Sequence, residues 1–162
     1  ITEHTVSQMV PMTGSTIVFE LGNVLAARNC RRSLQLLEQL LTQEEAPVAI
    51  LLIAIIPTFR NLLAVKLLMD NNKKVTKPKQ PFFFGKTLES LPKESLEHLP
   101  RKKDGTINAY PLGLAATHAH RYSIRELLAA QSAILATNVA LVTGTQDPAA
   151  LLRQLVIRIT AA

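Results

Sequence analysis

The 162-residue sequence has no tryptophan, only two tyrosines and a single cysteine, Cys30. One cysteine cannot form an internal disulfide, and it cannot by itself build a metal site. The six glycines never form a loop of the kind that cradles phosphates, so the sequence contains no nucleotide-binding motif. These absences exclude a fold held by internal disulfides and argue against a nucleotide-dependent enzyme.

Patterns of catalytic and metal-binding residues are also missing. His118 and His120 are two residues apart, which on a helix turns their side chains about 200° from each other, so they cannot share one metal ion there. Cys30 is followed by Arg31 and Arg32, but no histidine lies near it in the sequence to act as a base. Solvated histidines and an inert thiol are the simpler interpretations. We therefore predict no catalytic residue, no metal site, no cofactor and no enzymatic activity for this chain.

Apolar residues, in contrast, are abundant. They make up 48% of the sequence and charged residues 19%, which excludes intrinsic disorder of the whole chain. The most apolar stretch, 46–59, is shorter than the ~20 residues that span a bilayer, and Pro57 and Lys66 interrupt any longer apolar run. We interpret this stretch as a buried helix and expect no membrane association.

The net charge of +6 is concentrated in one region. Residues 71–105 carry nine lysines and arginines, four acidic residues and four of the nine prolines, whereas the rest of the chain is close to neutral. Flexible cations could follow a polyanion, although a solvated insertion explains the same composition. The candidate nucleic-acid contacts in and beside this region are Lys73, Lys74, Lys77, Lys79, Arg101, Lys102, Lys103 and Tyr110.

The periodicity of the apolar residues predicts an all-α fold without strands. Helices are predicted over 17–27, 31–43, 47–69 with a kink at Pro57, 111–121, 123–143 and from 148 onwards. Ser123 and Glu126 have the spacing of a capping box, and Gly144 is placed to end that helix. Around the Phe82–Phe84 run, which we expect to anchor in the core, one or two short helical turns could lie on the body. The longest predicted helix keeps a seven-residue repeat, formed by Leu127, Leu128, Ile134, Leu135, Leu141 and Val142.

The order of these signals resembles the delta subunit of bacterial DNA polymerase III, the clamp-loader subunit that opens the sliding clamp. The resemblance covers most of the chain except about residues 71–106. The segments that carry it are Val18-Phe19-Glu20-Leu21, Arg31-Arg32-Ser33-Leu34, Glu45-Ala46-Pro47, Phe59-Arg60-Asn61-Leu62-Leu63, Arg121-Tyr122-Ser123, Thr143-Gly144 and Asp147-Pro148.

The resemblance implies a five- to six-helix bundle of the clamp-loader collar type over residues 15–162, with a basic, proline-rich insertion at about 71–106. Residues 1–14 would end a preceding lid-like domain, and the missing initial methionine suggests a fragment of a longer subunit. The implied function is a non-catalytic scaffold and oligomerisation domain in the bacterial cytoplasm, with Arg153 and Arg158 as candidate interface residues.

The implied partners are the tau or gamma motor subunit and delta prime. The sliding clamp would be contacted only through a domain upstream of this chain, and primer–template DNA would pass beneath the collar. The alternative interpretation is an independent nucleic-acid-binding helical module that uses the Lys73–Lys103 region.

Overall fold

The computed structural model describes residues 14–161, so nearly all of the expected remnant of a preceding domain, 1–14, lies outside the described residues. Over the described part the fold is all-α, as predicted, with eight helices and no strand. The helices are α1 (Gly14–Ala26), α2 (Cys30–Thr42), α3 (Pro47–Asn71), α4 (Phe84–Glu89), α5 (Lys93–Leu96), α6 (Ala109–His118), α7 (Ile124–Thr143) and α8 (Pro148–Thr160).

Helix α3 is the centre of the bundle, because α1, α6 and α7 all pack against it. Its apolar run supplies core side chains such as Leu51, Ile55, Phe59, Leu62 and Val65, each fully buried. The predicted kink takes the form of a π-helical turn, Leu51–Ile55, just before Pro57. Proline has no N–H and clashes with the carbonyl four residues earlier, and a wider turn accommodates both effects. The interpretation of 46–59 as a buried helix is thus confirmed for its inward face.

Helices α2 and α8 complete the bundle on the far side of α1 and α7. Helix α2 packs on α1 and on α8, and α8 packs on α7. The turn between α1 and α2 contains Arg28 in the left-handed region, with φ of 60°. Asn29 then caps α2 by accepting a 3.0 Å hydrogen bond from the Arg32 N–H. The break that the sequence predicts at Asn29 is therefore the N-cap of the next helix.

The region 71–106 is folded onto the body rather than detached from it. Val75, Phe84, Leu88 and Leu99 are buried in the same core as the main helices. The predicted short helical turns are present as α4 and α5. The His98 ring Nε2 also lies 3.2 Å from the carbonyl oxygen of Ala64 on α3. A few apolar side chains are thus enough to hold this charged region in place.

The prediction that the phenylalanine run anchors in the core is wrong for two of its three members. Phe84 is fully buried, but Phe82 and Phe83 are exposed and lie against each other with ring centroids 4.2 Å apart. They belong to a single 3₁₀ turn, Pro81–Phe83, which leads into α4. In so short a turn, successive side chains point in different directions, and only the last reaches the core.

Candidate assembly interface

Helix α7 carries two apolar stripes that point in different directions. Leu127 and Ile134 are buried, whereas the residues directly after them, Leu128 and Leu135, are 53% and 64% exposed. Adjacent residues on a helix are rotated by about 100°, so a doubled seven-residue repeat necessarily faces two ways. The structure therefore divides the predicted repeat into a core stripe and a solvent-facing stripe.

The solvent-facing stripe is long and contains no charge. Leu128, Leu135, Val139 and Val142 are more than half exposed, and successive turns place them within about 60° of one another around the helix. The chain has no charged residue between Glu126 and Asp147. We call these four side chains the outer stripe of α7. An apolar face of this length, unpartnered by the described part of the chain, is typical of a protein-contact surface.

Both ends of α7 are fixed by the local devices that the sequence predicts. At the start, the Ser123 hydroxyl accepts a 3.0 Å hydrogen bond from the Glu126 N–H, and the Glu126 carboxylate accepts one of 3.0 Å from the Ser123 N–H. At the end, Gly144 adopts φ of 68°, a conformation that favours glycine. The capping box and the C-cap are both confirmed. Between them the helix runs without interruption for 20 residues.

A second device, which the sequence analysis missed, joins α7 to distant parts of the chain through Arg28. Its guanidinium forms an ion pair with Glu126, donates to the carbonyl of Arg121 at 2.5 Å, and donates to the carbonyls of Thr160 and Ala161 at the end of α8. Ninety-eight residues separate Arg28 from Glu126, so no local pattern could reveal the pair. Arg28 thus fastens the α1–α2 turn to the start of α7 and the end of α8.

Tyr122 completes this cluster from below. The Arg28 guanidinium lies 4.7 Å from the centre of the Tyr122 ring, a cation–π arrangement. The buried Tyr122 hydroxyl donates to the Leu25 carbonyl at 2.7 Å. Hydrogen bonding to Arg28 lowers the pKa of Glu126 to about 2, and burial raises the pKa of Tyr122. Glu126 is therefore ionised, and Tyr122 neutral, at physiological pH.

The two predicted interface arginines on α8 occupy different settings. Arg153 forms an ion pair with Glu38 of α2, with Nη2 3.1 Å from Oε2, and the hydrogen bond lowers the pKa of Glu38. This pair lies within the chain and ties α8 to α2. Arg158 is exposed, makes no ion pair with any residue in 14–161, and lies beside a shallow groove between α7 and α8. Of the two, Arg158 is the one whose charge is free to meet a partner.

The predicted nucleic-acid contacts are all exposed but belong to separate turns. Lys73, Lys74, Lys77 and Lys79 follow the end of α3, and Arg101, Lys102 and Lys103 lie in a tight loop closed by a 2.7 Å bond from the Lys102 N–H to the Thr106 carbonyl. Tyr110 is exposed on the first turn of α6. The structure therefore leaves these side chains accessible, and it shows no pairing that would fix them on one binding track.

The histidines near the end of α6 lie in a basic environment. Burial first, and then the nearby cations Arg121, His120 and Lys77, lower the pKa of His118, whose Nδ1 lies 3.4 Å from the Arg121 Nε. Burial and the same kind of neighbours lower the pKa of His120. Within residues 14–161, no group of three or more His, Cys, Asp or Glu side chains is arranged to hold a metal ion.

Two helices, Pro47–Asn71 and Ile124–Thr143, are long and apolar enough to cross a membrane when judged by length and composition alone. The first is the core helix α3, and core helices of soluble proteins commonly meet that criterion. The second is α7, which meets it because its outer stripe adds to an already apolar core stripe. The apolar character of α7 thus has two separate sources, its core packing and its exposed outer stripe.

Comparison with known proteins identifies the first part of the bundle. Residues 15–80 match the family described as DNA polymerase III delta subunit, C-terminal domain. No curated protein and no solved structure matches the chain. The matched segment contains α1, α2 and α3 and ends before α6, α7 and α8. This family is a non-catalytic part of the clamp loader, which agrees with the prediction that the chain is not an enzyme. Through residues 15–80, the chain belongs to the family of C-terminal domains of the DNA polymerase III delta subunit.

Proposed function

We propose that this chain is a scaffold domain that joins subunits of a bacterial clamp loader, and that the outer stripe of α7 is its contact surface. The partners we propose are the tau or gamma motor subunit and delta prime. Residues 15–162 would form one collar domain, with 71–106 as an insertion. A component of DNA polymerase III works in the bacterial cytoplasm, and we expect the chain there. The exposed, charge-free stripe is the observation that carries this proposal.

The energetics favour a helix as the partner. Covering an exposed leucine or valine contributes about 1 to 2 kcal/mol, so four of them provide a substantial gross gain. Leu128, Leu135 and Val142 recur every seven residues, and Val139 lies between the last two at the four-residue step. Ser132 supplies the corresponding exposed position between Leu128 and Leu135. This three-and-four spacing is the spacing that lets two helices interlock their side chains.

The surface is also preorganised, which lowers the entropic cost of binding. The capping box and Gly144 fix the ends of α7, and Arg28 holds its first turn against the end of α8. A partner would therefore meet a rigid helix rather than order one. Arg158, exposed beside the α7–α8 groove, is suited to the polar rim that surrounds an apolar interface.

The proposal is tested by co-purification with the motor subunit and delta prime of the same organism, with full-length delta as the positive control. The test variant is Leu128→Lys with Leu135→Lys, which places two charges on the outer stripe. The matched control is Leu52→Lys, because Leu52 is 52% exposed but lies on α3. We expect the chain and the control to retain the partners and the test variant to lose them.

Two results would contradict the proposal. One is that the unmodified chain forms no complex while full-length delta does. The other is that the stripe variant retains both partners as well as the Leu52→Lys control does. Circular dichroism of each variant shows whether its helical content is unchanged, so that a loss of binding is not a loss of folding.

A further inference from the structure

A second surface feature lies on another part of the bundle, where α1, α3 and the start of α6 meet. Here a groove with a cavity volume of about 240 Å³ runs along both long helices. It is lined by residues 18–26 of α1 and 53–61 of α3, a length of about 12 Å along each helix. Phe19 and Ile53, both 63% exposed, form its apolar walls, and Pro100 and Pro111 close the third side.

The groove is unusual in the polar groups that it contains. Three asparagines line it, Asn23, Asn61 and Asn108, and none of their side chains makes a hydrogen bond to any residue in 14–161. The Asn61 Oδ1 atom is buried and has no partner. A buried acceptor without a donor costs about 1 to 3 kcal/mol. This oxygen therefore favours any occupant that brings an N–H or O–H to the floor of the groove.

The unpaired oxygen also selects the conformation of the occupant. A docked helix has already used its backbone N–H groups in its own hydrogen bonds, so its apolar face would cover Asn61 without satisfying it. An extended segment has free N–H and C=O groups, which match the donor and acceptor of an asparagine amide. About four extended residues span 12 Å. The groove thus fits a short extended peptide better than a helix.

Charge adds a further restriction. Arg60 is the one charged residue among those that line the groove, and within residues 14–161 it forms no ion pair. We propose that this groove binds an extended peptide segment that places a large apolar side chain between Phe19 and Ile53 and a carboxylate opposite Arg60. The site lies on different helices from the outer stripe of α7, so it does not depend on the proposed scaffold function.

The test uses a phage-displayed library of linear octapeptides selected on the whole chain. Enriched peptides are synthesised and titrated into the ¹⁵N-labelled chain. We expect enrichment of sequences that combine a large apolar residue with Asp or Glu. We also expect the side-chain amide signals of Asn23, Asn61 and Asn108 to shift on binding, and the peptide to stay non-helical by circular dichroism.

Two groove variants and a matched control define the site. Asn61→Leu removes the unpaired oxygen and Phe19→Ala removes an exposed wall without touching the core; we expect each to weaken binding at least tenfold. Asn71→Leu changes an exposed asparagine at the end of the same helix, outside the groove, and should leave the Kd within twofold.

The proposal is overturned if no enriched peptide shifts the three asparagine signals, or if the enriched peptides bind as helices. It is also overturned if both groove variants bind as tightly as the Asn71→Leu control. Should the chain itself dimerise through the groove, the asparagine signals would shift with protein concentration before any peptide is added, and a second copy would replace the peptide as occupant. None of these results affects co-purification through α7.

Discussion

Helix α7 and the insertion at 71–106 use apolar and charged side chains in opposite ways. The insertion has the highest density of charge in the chain, displays it to solvent, and buries its few apolar anchors such as Phe84 and Leu88. Helix α7 has charge only in its first turn and displays leucine and valine along its length. The net charge of +6 directs attention to the insertion, but the exposed apolar surface that calls for a partner is on the nearly uncharged helix.

The comparison also separates two meanings of an apolar residue. On the insertion, an apolar side chain indicates attachment to the core. On α7, adjacent apolar residues serve folding and exposure in turn, and only the three-dimensional structure shows which is which. Substitutions at matched positions can test that division, starting with the largest expected effect.

The neighbouring residues Ile134 and Leu135 give the sharpest contrast. Ile134 is 4% exposed and belongs to the core, so Ile134→Ala should lower the free energy of unfolding by about 2 to 5 kcal/mol. Leu135→Ala should change it by less than about 0.5 kcal/mol, since the side chain is already in water. Urea denaturation followed by circular dichroism measures both. Equal losses for the two variants would show that the two stripes are not distinct.

The Arg28 cluster is expected to give the next largest effect. Arg28→Ala removes the ion-pair partner of Glu126 and the donor to the last carbonyls of α8, and we expect it to cost about 2 kcal/mol. Arg31→Ala is the matched control, because Arg31 is exposed on the first turn of α2, three residues further along. The urea midpoint should fall for the first variant and stay unchanged for the second. A similar midpoint for both would show that Arg28 does not hold α7 in place.

The same cluster predicts a smaller, pH-dependent effect. The pKa of Glu126 is about 2 in the folded chain, below the ordinary value of 4.5. A carboxylate whose folded pKa is depressed contributes stability above its unfolded pKa and loses it as pH falls towards the folded value. The loss should therefore occur between about pH 4.5 and pH 2. Because the side chain is 39% exposed, solvent screening should keep it below about 1 kcal/mol.

Comparing Glu126→Gln with the unmodified chain isolates this contribution. Glutamine can still accept the capping-box hydrogen bond from Ser123, but it does not titrate. The difference in unfolding free energy between the two proteins should shrink as pH falls from 4.5 to 2. A difference that stays constant over that range would show that the charge of Glu126 contributes nothing to stability.

Most of the fold could be predicted because its signals are local. Ser123, Glu126 and Gly144 act within a turn of their own helix, so reading neighbouring residues is enough to place the ends of α7. Arg28 could not be found in this way, because its partners are about a hundred residues away and its left-handed backbone has no glycine or asparagine to mark it. The outer stripe is visible in the sequence as a repeat, but only packing reveals that α3 and α8 cover one side of α7 and leave the other open.

The smallest expected effect comes from the insertion and decides what its charge is for. Lys102→Gln with Lys103→Gln should leave the unfolding free energy and partner binding unchanged, because both side chains lie in an exposed loop. Deleting 73–103 would be a poorer test, since it removes Phe84 and Leu88 from the core. If the insertion bound nucleic acid, the double variant would lower DNA affinity and flatten its dependence on salt, each lost phosphate contact reducing the slope by about 0.9 for duplex DNA. An unchanged slope would show that these two lysines contact no phosphate, and would leave the Arg101–Lys103 loop as solvated surface on a protein that assembles through α7.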